Sequence, residues 1–206
     1  MAAYLSAACE SSCERVIEKS RFISYVQHVE SEEEAKAYLN KLHELHPLAT
    51  HICYAYIADK TGDFVRFSDD GEPQGTAGMP ILGVLKAKKL FETLIAVVRY
   101  FGGIKLGAGG LTRAYSGCAA DGVGSAKVVL FDTCVEIAVG VTYSDVKTLT
   151  RFAEDKLLIA RDYGEKTAFT FRVRECDEQD FITAVQNEFR GRAEIQTKEK
   201  GYYPCE

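Results

Sequence analysis

An apolar run passes directly into a glycine-rich segment in Thr93-Leu-Ile-Ala-Val-Val-Arg-Tyr-Phe-Gly-Gly-Ile-Lys-Leu-Gly-Ala-Gly-Gly-Leu-Thr-Arg113. Residues 93–101 are almost entirely apolar, which predicts a central strand buried on both faces of a sheet. Five glycines then fall within nine residues. We expect a loop there, followed by a helix from about Leu111 to Lys127. The stretch therefore predicts a strand, loop and helix at the centre of a layered α+β domain.

The glycine-rich segment has the composition of an anion-binding loop. Glycines let backbone N–H groups turn toward an anion, and the N-terminus of the next helix adds a partial positive charge. No acidic residue lies between Glu92 and Asp121, so the three basic side chains there carry a local charge of +3. The candidate anion-binding or nucleic-acid-binding residues are Arg99, Gly102, Gly103, Lys105, Gly107, Gly109, Gly110 and Arg113.

Two established phosphate motifs do not fit this segment. The glycine spacing and the residue after Lys105 differ from a Walker loop, and the third glycine of a dinucleotide fingerprint is missing. The alternative to anion binding is a glycine-rich turn that only allows the strand and helix to pack closely. The segment therefore predicts contact with an anion without identifying it.

A second segment carries three carboxylates within four residues: Asp69, Asp70 and Glu72. Their oxygens suit Mg²⁺, but an Asp-Gly pair after a strand is also typical of a turn. The carboxylates are equally suited to pairing with Arg99 or Arg113. We expect a structural or charge-pairing role and no cofactor, with Mg²⁺ binding and direct acid–base chemistry as alternatives.

The rest of the chain predicts a second, smaller domain. The predicted elements after about residue 130 follow the order β-α-β-β-α-β, the ferredoxin-like arrangement, with Ser144 and Asp177 as helix caps. We therefore expect domains at 1–130 and 131–206. The first carries 14 basic and 15 acidic side chains and the second carries 11 and 15. The second domain is thus the weaker candidate for binding phosphate.

Bulk composition limits the classes of function. The formal net charge of −5 argues against a protein that coats nucleic acid through overall charge, so such contact requires a local basic patch. Seven scattered cysteines contain no Cys-x-x-Cys pair, which argues against a zinc ribbon or disulfide framework. With no long apolar run and a poor signal sequence, we expect a cytoplasmic protein with no membrane contact.

Five motifs stand out along the chain. In order, they are Lys19-Ser-Arg-Phe-Ile23, His46-Pro-x-Ala-x-His51-x-Cys53, Phe67-Ser-Asp-Asp-Gly-Glu-Pro73, Gly75-Thr-Ala-Gly78 and Val98-Arg-Tyr-Phe-Gly-Gly-Ile-Lys-Leu-Gly-x-Gly-Gly-Leu-Thr-Arg-Ala-Tyr115. Together they resemble the motifs of the IMPACT/YigZ family, and the resemblance adds Lys19, Arg21 and His51 as accessory candidates. One small departure is Ala108, where the family usually has Thr.

The resemblance implies a first domain like domain IV of elongation factor G and the second domain of a small-subunit ribosomal protein. It implies a ferredoxin-like second domain and a bacterial-type member, so the starvation-kinase regulation of eukaryotic members is not carried over whole. The leading hypothesis is a non-enzymatic, translation-associated regulatory factor that binds RNA, the ribosome or other translation proteins. The alternatives are a phosphate-handling or hydrolytic enzyme that uses the glycine loop with Asp69, Asp70 and Glu72, and a protein-binding regulator.

Overall fold

The computed structural model describes residues 3–164 and 166–205, without the side chain at position 199. The chain forms two compact units, Tyr4–Leu130 and a second that comprises Ala3 and the residues from Phe131 onward. Each unit combines helices with a sheet, which confirms the predicted α+β class. Within the described residues, no helix has both the length and the apolar character needed to cross a membrane.

The first unit is built on a five-stranded antiparallel sheet. Its elements are β1 (Tyr4–Ala7), β2 (Ser11–Ile17), β3 (Ser20–His28), α1 (Glu32–Leu45), β4 (His51–Ile57), β5 (Val65–Ser68), α2 (Gly78–Ala87), β6 (Thr93–Tyr100) and α3 (Gly107–Ser125). The strands of the sheet lie in the order β2-β3-β6-β4-β5, and every neighbouring pair is antiparallel. The next strand, β7 (Val128–Val141), begins in this unit and continues into the second.

The middle strand, β6, is buried at every residue except its last, which confirms the predicted central strand. Leu94, Ala96 and Val98 pack into the core beneath α1. Ile95 and Val97 pack into a separate core formed with α2 and α3. The two cores arise because successive side chains of a strand point to opposite faces of the sheet.

The first helix begins where the sequence predicts. The Ser31 hydroxyl accepts a hydrogen bond from the Glu34 backbone N–H at 3.2 Å. The first turn of α1 is also acidic, which complements the positive end of the helix dipole. The Glu34 carboxylate accepts from the backbone N–H of Glu30, one residue before the cap, at 2.8 Å. The bond to Ser31 satisfies a backbone donor that an uncapped helix start would leave open, and the bond from Glu30 fixes the chain just before the cap.

The third helix begins four residues earlier than predicted, so the expected start at Leu111 is wrong. Three of the five glycines, Gly107, Gly109 and Gly110, belong to its first turn. Glycine has a low helix propensity, which favoured a loop. Tertiary packing outweighs this low helix propensity, because Leu111 and Tyr115 on the same helix are buried in the core against the sheet.

The second unit has the predicted ferredoxin-like arrangement. After β7 it contains α4 (Val146–Phe152), β8 (Leu158–Tyr163), β9 (Thr167–Arg174), α5 (Glu178–Phe189) and β10 (Glu194–Cys205). Its strands lie in the order β10-β7-β9-β8. Val135, Ile137 and Val139 of β7 form a core with the aromatic residues Phe169 and Phe171 of β9.

Of the two helix caps predicted in this unit, Ser144 is wrong, because Asp145 occupies the N-cap position of α4, and Asp177 is at the predicted position but makes no side-chain capping bond. Ser144 lies in a short 3₁₀ turn, and its hydroxyl forms a hydrogen bond with that of Thr142 at 2.9 Å. Asp177 occupies the N-cap position of α5, but its carboxylate accepts from Arg174 Nε at 2.8 Å and caps no helix N–H. In both cases a 3₁₀ turn precedes the α-helix and gives the side chain a different partner.

Candidate anion-binding site

Residues from the glycine-rich segment and from the acidic segment meet at one cavity of about 350 Å³ in the first unit. Its walls come from the end of β6, the loop after it, the first turn of α3 and the segment that precedes α2. The residues used below are Glu72, Arg99, Phe101, Lys105, Gly107 and Ala108. The fold therefore brings together residues from two segments that are well separated in sequence.

Arg99 presents a buried cation to this cavity. It is 5% exposed, and its Nη1 donates to Glu72 Oε1 at 2.5 Å. The Tyr115 hydroxyl donates to the same carboxylate oxygen at 2.7 Å. The guanidinium carbon lies 5.3 Å and 5.4 Å from the ring centroids of Phe22 and Phe101. Arg99 and Glu72 therefore balance each other's charge in a largely apolar setting.

One donor of Arg99 is left over. Its Nε is buried and has no hydrogen-bond partner within the described residues. A buried donor without an acceptor costs roughly 1–3 kcal/mol. Arg99 lines the cavity, but its Nε has almost no exposed surface, so an oxygen of a bound anion would reach this donor only after a movement of the side chain.

The N-terminus of α3 reaches the same cavity through Gly107 and Ala108. Its N-cap residue, Leu106, makes no side-chain capping bond, and its first turn contains no acidic residue. The first N–H groups of a helix have no intrahelical acceptor and carry the positive end of the dipole. This helix start is therefore available to an anion, whereas that of α1 is capped.

Lys105 and Arg113 add two exposed charges. Lys105 lines the cavity and also a neighbouring cleft of about 480 Å³, which Arg113 and Arg15 line as well. Arg15 pairs with Asp121 at 2.9 Å. Among the described residues, neither Lys105 nor Arg113 has an ion-pair partner. Glu18 also lines the cleft, and the charges of Lys105 and Arg113 outweigh its carboxylate, so the surface beside the cavity stays positive.

Gly102 has a structural role that its place in the motif did not reveal. A Cβ atom on Gly102 would lie 1.9 Å from the carbonyl oxygen of Lys19, so only glycine fits. Its N–H donates to the Ser20 hydroxyl at 3.2 Å. The loop is thus packed against the hairpin turn between β2 and β3, where Glu18 and Lys19 both have positive φ. This observation favours close packing at Gly102, whereas Gly103 has open space around it.

The Asp69 carboxylate binds backbone N–H groups at the start of α2 and in the segment just before it. Its carboxylate accepts from the N–H groups of Gly75, Ala77 and Gly78 at 2.7, 2.9 and 2.8 Å. Burial raises the pKa of this carboxyl, but the three backbone hydrogen bonds outweigh burial and the net pKa is lowered. Asp69 therefore caps α2 from a position nine residues before the first residue of the helix.

Asp70 forms hydrogen bonds with His51 and Ile52 at the start of β4. The Asp70 carboxylate accepts from the Ile52 backbone N–H at 2.5 Å, and the Asp70 carbonyl lies 2.6 Å from His51 Nδ1. With Glu72 bound to Arg99, the three carboxylates of this segment have three different partners. Within the described residues they do not form a group of metal-ligand atoms.

The two basic accessory candidates differ in availability. Arg21 donates to both oxygens of Glu14 at 2.7 and 2.9 Å, on an exposed surface. Lys19 is exposed at the hairpin turn, and its backbone contacts Gly102. Lys19 therefore adjoins the glycine loop, while the charge of Arg21 is already paired.

Sequence reasoning missed three contributors to the site. Phe22 lies opposite Arg99 in the register of β3 and β6, and only that pairing brings its ring to the guanidinium. Phe101 is 46% exposed beside the cavity, and Tyr115 donates to Glu72. All three residues stand within the motifs quoted above, so their position in those motifs was the available signal.

Comparison with known proteins supports one family. The family model that describes the Impact N-terminal domain matches residues 18–123 of the sequence. The IMPACT family member YvyE of Bacillus subtilis is 36% identical over 191 residues, which cover 92% of this chain and 88% of that protein. An IMPACT family member of Haemophilus influenzae is 50% identical over 117 residues, which cover 56% of this chain and 57% of that protein.

A solved structure agrees with the whole fold. A crystal structure of a protein described as hypothetical aligns with 97% of this chain and 98% of its own, with a TM-score of 0.63 and 30% identity. The matched residues 18–123 include every candidate site residue named above. The chain therefore belongs to the IMPACT family.

Proposed function

We propose that this protein is a non-enzymatic, translation-associated factor that binds single-stranded or looped RNA, including RNA of the ribosome, at the cavity beside α3. Membership of the IMPACT family supports a regulatory, translation-related role at the level of the family. The RNA contact is inferred from the chemistry of the cavity. The partner is RNA because the site combines groups suited to phosphate with an exposed aromatic ring.

The observation that carries the proposal is the meeting of several anion-binding groups at one cavity. The uncapped start of α3 and the side chains of Lys105 and Arg99 all line it. Backbone N–H groups at a helix start and a lysine are both suited to phosphate oxygens. Because Glu72 is neutralised by Arg99, its carboxylate does little to repel an anion there.

The exposed ring of Phe101 favours RNA over a small free anion. It lies at the edge of the cavity and is 46% exposed. Proteins that bind single-stranded nucleic acid combine a positive groove with aromatic rings on which bases stack, worth about 1–3 kcal/mol per base. A phosphate bound at α3 would place the attached nucleoside beside this ring.

The test is binding of a fluorescent single-stranded RNA by the whole chain at two salt concentrations. Each phosphate contact to single-stranded RNA contributes about 0.7 to the slope of log K against log salt. We expect Lys105→Glu to weaken binding and to reduce that slope by about 0.7. We expect the melting temperature to stay nearly constant, since surface substitutions usually change stability by no more than about 0.5 kcal/mol.

The matched control is Lys147→Glu. Lys147 is exposed in α4 of the second unit, and its reversal changes the net charge equally. It should leave RNA binding unchanged. Equal loss in both variants would mean that only overall charge matters, and no loss in Lys105→Glu would remove the cavity from the RNA-binding surface.

A further inference from the structure

A second group of polar side chains lies near the other end of the central sheet, away from the motif residues. His28 ends β3, Glu30 follows it, and Glu92 immediately precedes β6. Their ligand atoms, one from each residue, all lie within 4.8 Å of one another. We propose that His28, Glu30 and Glu92 form a binding site for a divalent transition-metal ion of the zinc class.

Glu92 is the buried member of the group. It is 3% exposed, and its Oε2 accepts a hydrogen bond from the Tyr4 hydroxyl. Among the described residues, the one group near this carboxylate that can carry positive charge is the His28 imidazole, with Nε2 at 3.9 Å. Buried charges are normally paired or coordinated to a metal. Glu92 is therefore a buried carboxylate held by one hydroxyl and one histidine, and a bound cation would offset the cost of burying its charge.

The hydrogen bonds of Ser6 orient the imidazole of His28. The Ser6 hydroxyl donates to the Glu92 carbonyl at 3.0 Å, and its oxygen lies 2.7 Å from His28 Nδ1. The Ser6 hydroxyl also lies 3.0 Å from Thr93 Oγ1, and the ring is held with Nε2 facing Glu30 Oε1 at 3.2 Å and Glu92 Oε2 at 3.9 Å. Because a carboxylate accepts, Nε2–H donates to Glu30 in the metal-free chain. With a metal ion at Nε2, the proton of the neutral ring lies on Nδ1 and is donated to Ser6. Metal-binding histidines are commonly fixed by such a bond at the other ring nitrogen.

The distances suit a small divalent ion. Bonds of about 2.0–2.1 Å in a tetrahedral zinc site place neighbouring ligand atoms roughly 3.3 Å apart. The two separations from Nε2 bracket that value, so small side-chain movements are enough. One neutral imidazole and two carboxylates balance the charge of the ion. The imidazole favours zinc-like metals over Mg²⁺ and Ca²⁺, which prefer oxygen ligands.

The experiment titrates Zn²⁺ into the whole metal-free chain by calorimetry, with Mg²⁺ for comparison. We expect one Zn²⁺ that requires His28 and Glu30, at least about tenfold weaker binding in Glu30→Gln and in His28→Gln, and no comparable Mg²⁺ binding. Glu30 is exposed, so Glu30→Gln tests the site even if His28→Gln fails to fold. His43→Gln and Glu33→Gln, both at exposed positions of α1, are matched controls and should bind as the natural chain does.

A second measurement distinguishes Zn²⁺ bound at this site from Zn²⁺ bound by any of the seven cysteines. On addition of Zn²⁺, the imidazole resonances of His28 should shift in the NMR spectrum, whereas those of His43 should not. Equal Zn²⁺ binding by His28→Gln, Glu30→Gln and the natural chain would overturn the proposal. Absence of Zn²⁺ binding would also overturn it, and His28 would then serve as a hydrogen-bonding partner of Glu30.

Discussion

At the scale of single residues, the candidate site depends on a buried charge pair rather than on the acidic segment as a whole. Only Glu72 of the three carboxylates contacts Arg99, and Asp69 and Asp70 bind backbone groups. The side chains of Arg99 and Glu72 are 6% and 4% exposed. A buried charge that loses its partner keeps the cost of leaving water without the compensating attraction. The pair therefore supports the shape of the cavity.

Removal of Glu72 tests this interpretation. Glu72→Ala leaves Arg99 charged and buried and also takes an acceptor from Tyr115. We expect the free energy of unfolding to fall by about 3–5 kcal/mol, as for other broken buried pairs. Urea unfolding followed by circular dichroism measures this change.

The control for this prediction is Glu14→Ala, which breaks the solvent-exposed pair of Glu14 with Arg21. Exposed pairs contribute little because water and salt screen them. A Glu72→Ala variant as stable as Glu14→Ala would show that the buried pair is dispensable for the fold.

At the scale of elements, a histidine connects the end of α1 to two strands of the sheet. His46 Nε2 lies 2.8 Å from the Tyr25 hydroxyl of β3, and its Nδ1 lies 2.9 Å from the Tyr100 hydroxyl of β6. Its backbone N–H also caps α1 by donating to the Leu42 carbonyl at 2.9 Å. Burial, with a smaller effect from the charge of Arg21, lowers the pKa of His46. The connection therefore favours the neutral imidazole.

This connection predicts a loss of stability in mild acid. The folded-state pKa of His46 lies below its ordinary value of 6.5, so the unfolded chain takes up the proton more readily. The contribution of His46 is present above about pH 6.5 and is lost as the pH falls through the folded-state pKa. Unfolding by urea at about pH 7.5 and about pH 5.5 measures this dependence.

Two variants assign the pH dependence to His46. His46→Gln should lose less stability than the natural chain between the two pH values. His43→Gln, changed at an exposed site on α1, should behave as the natural chain does. An identical pH dependence in all three proteins would contradict the role given to His46.

At the scale of the whole molecule, each unit has its own core. Both apolar cores of the first unit consist of residues within Tyr4–Leu130. The core of the second unit consists of residues between Val135 and Ile195. The candidate site and the proposed metal site both lie within the first unit. We therefore propose that the first unit holds the binding functions and folds independently.

A fragment of residues 4–130 tests this proposal. It should show one cooperative thermal transition, because two complete cores cover both faces of its sheet. It should also bind single-stranded RNA as tightly as the whole chain does, since 131–206 contribute 11 basic and 15 acidic side chains. Calorimetry and RNA binding measure the two properties. A fragment without a cooperative transition would contradict independent folding, and a folded fragment with weakened binding would place part of the RNA surface in the second unit.

The sequence by itself determined the features that depend on local pattern. The apolar run at 93–101 indicated the buried central strand, Ser31 indicated the start of α1, and the order of elements after residue 130 indicated the ferredoxin-like unit. These signals are local because periodicity and capping depend on neighbouring residues. The local excess of positive charge at Arg99, Lys105 and Arg113 was likewise visible in the sequence. In the structure these three residues line one cavity and the adjoining cleft.

Only the tertiary structure decided which residues share a site and which are used by the fold. The register of β3 against β6 sets Phe22 beside Arg99, and the approach of Lys19 to the loop makes Gly102 a packing residue. Asp69 caps α2 and Glu72 pairs with Arg99, although both come from one short acidic segment. Such contacts depend on the spatial approach of distant segments, and no pattern of neighbouring residues encodes that approach. For the same reason, burial of the α3 core residues outweighed the low helix propensity of its first glycines.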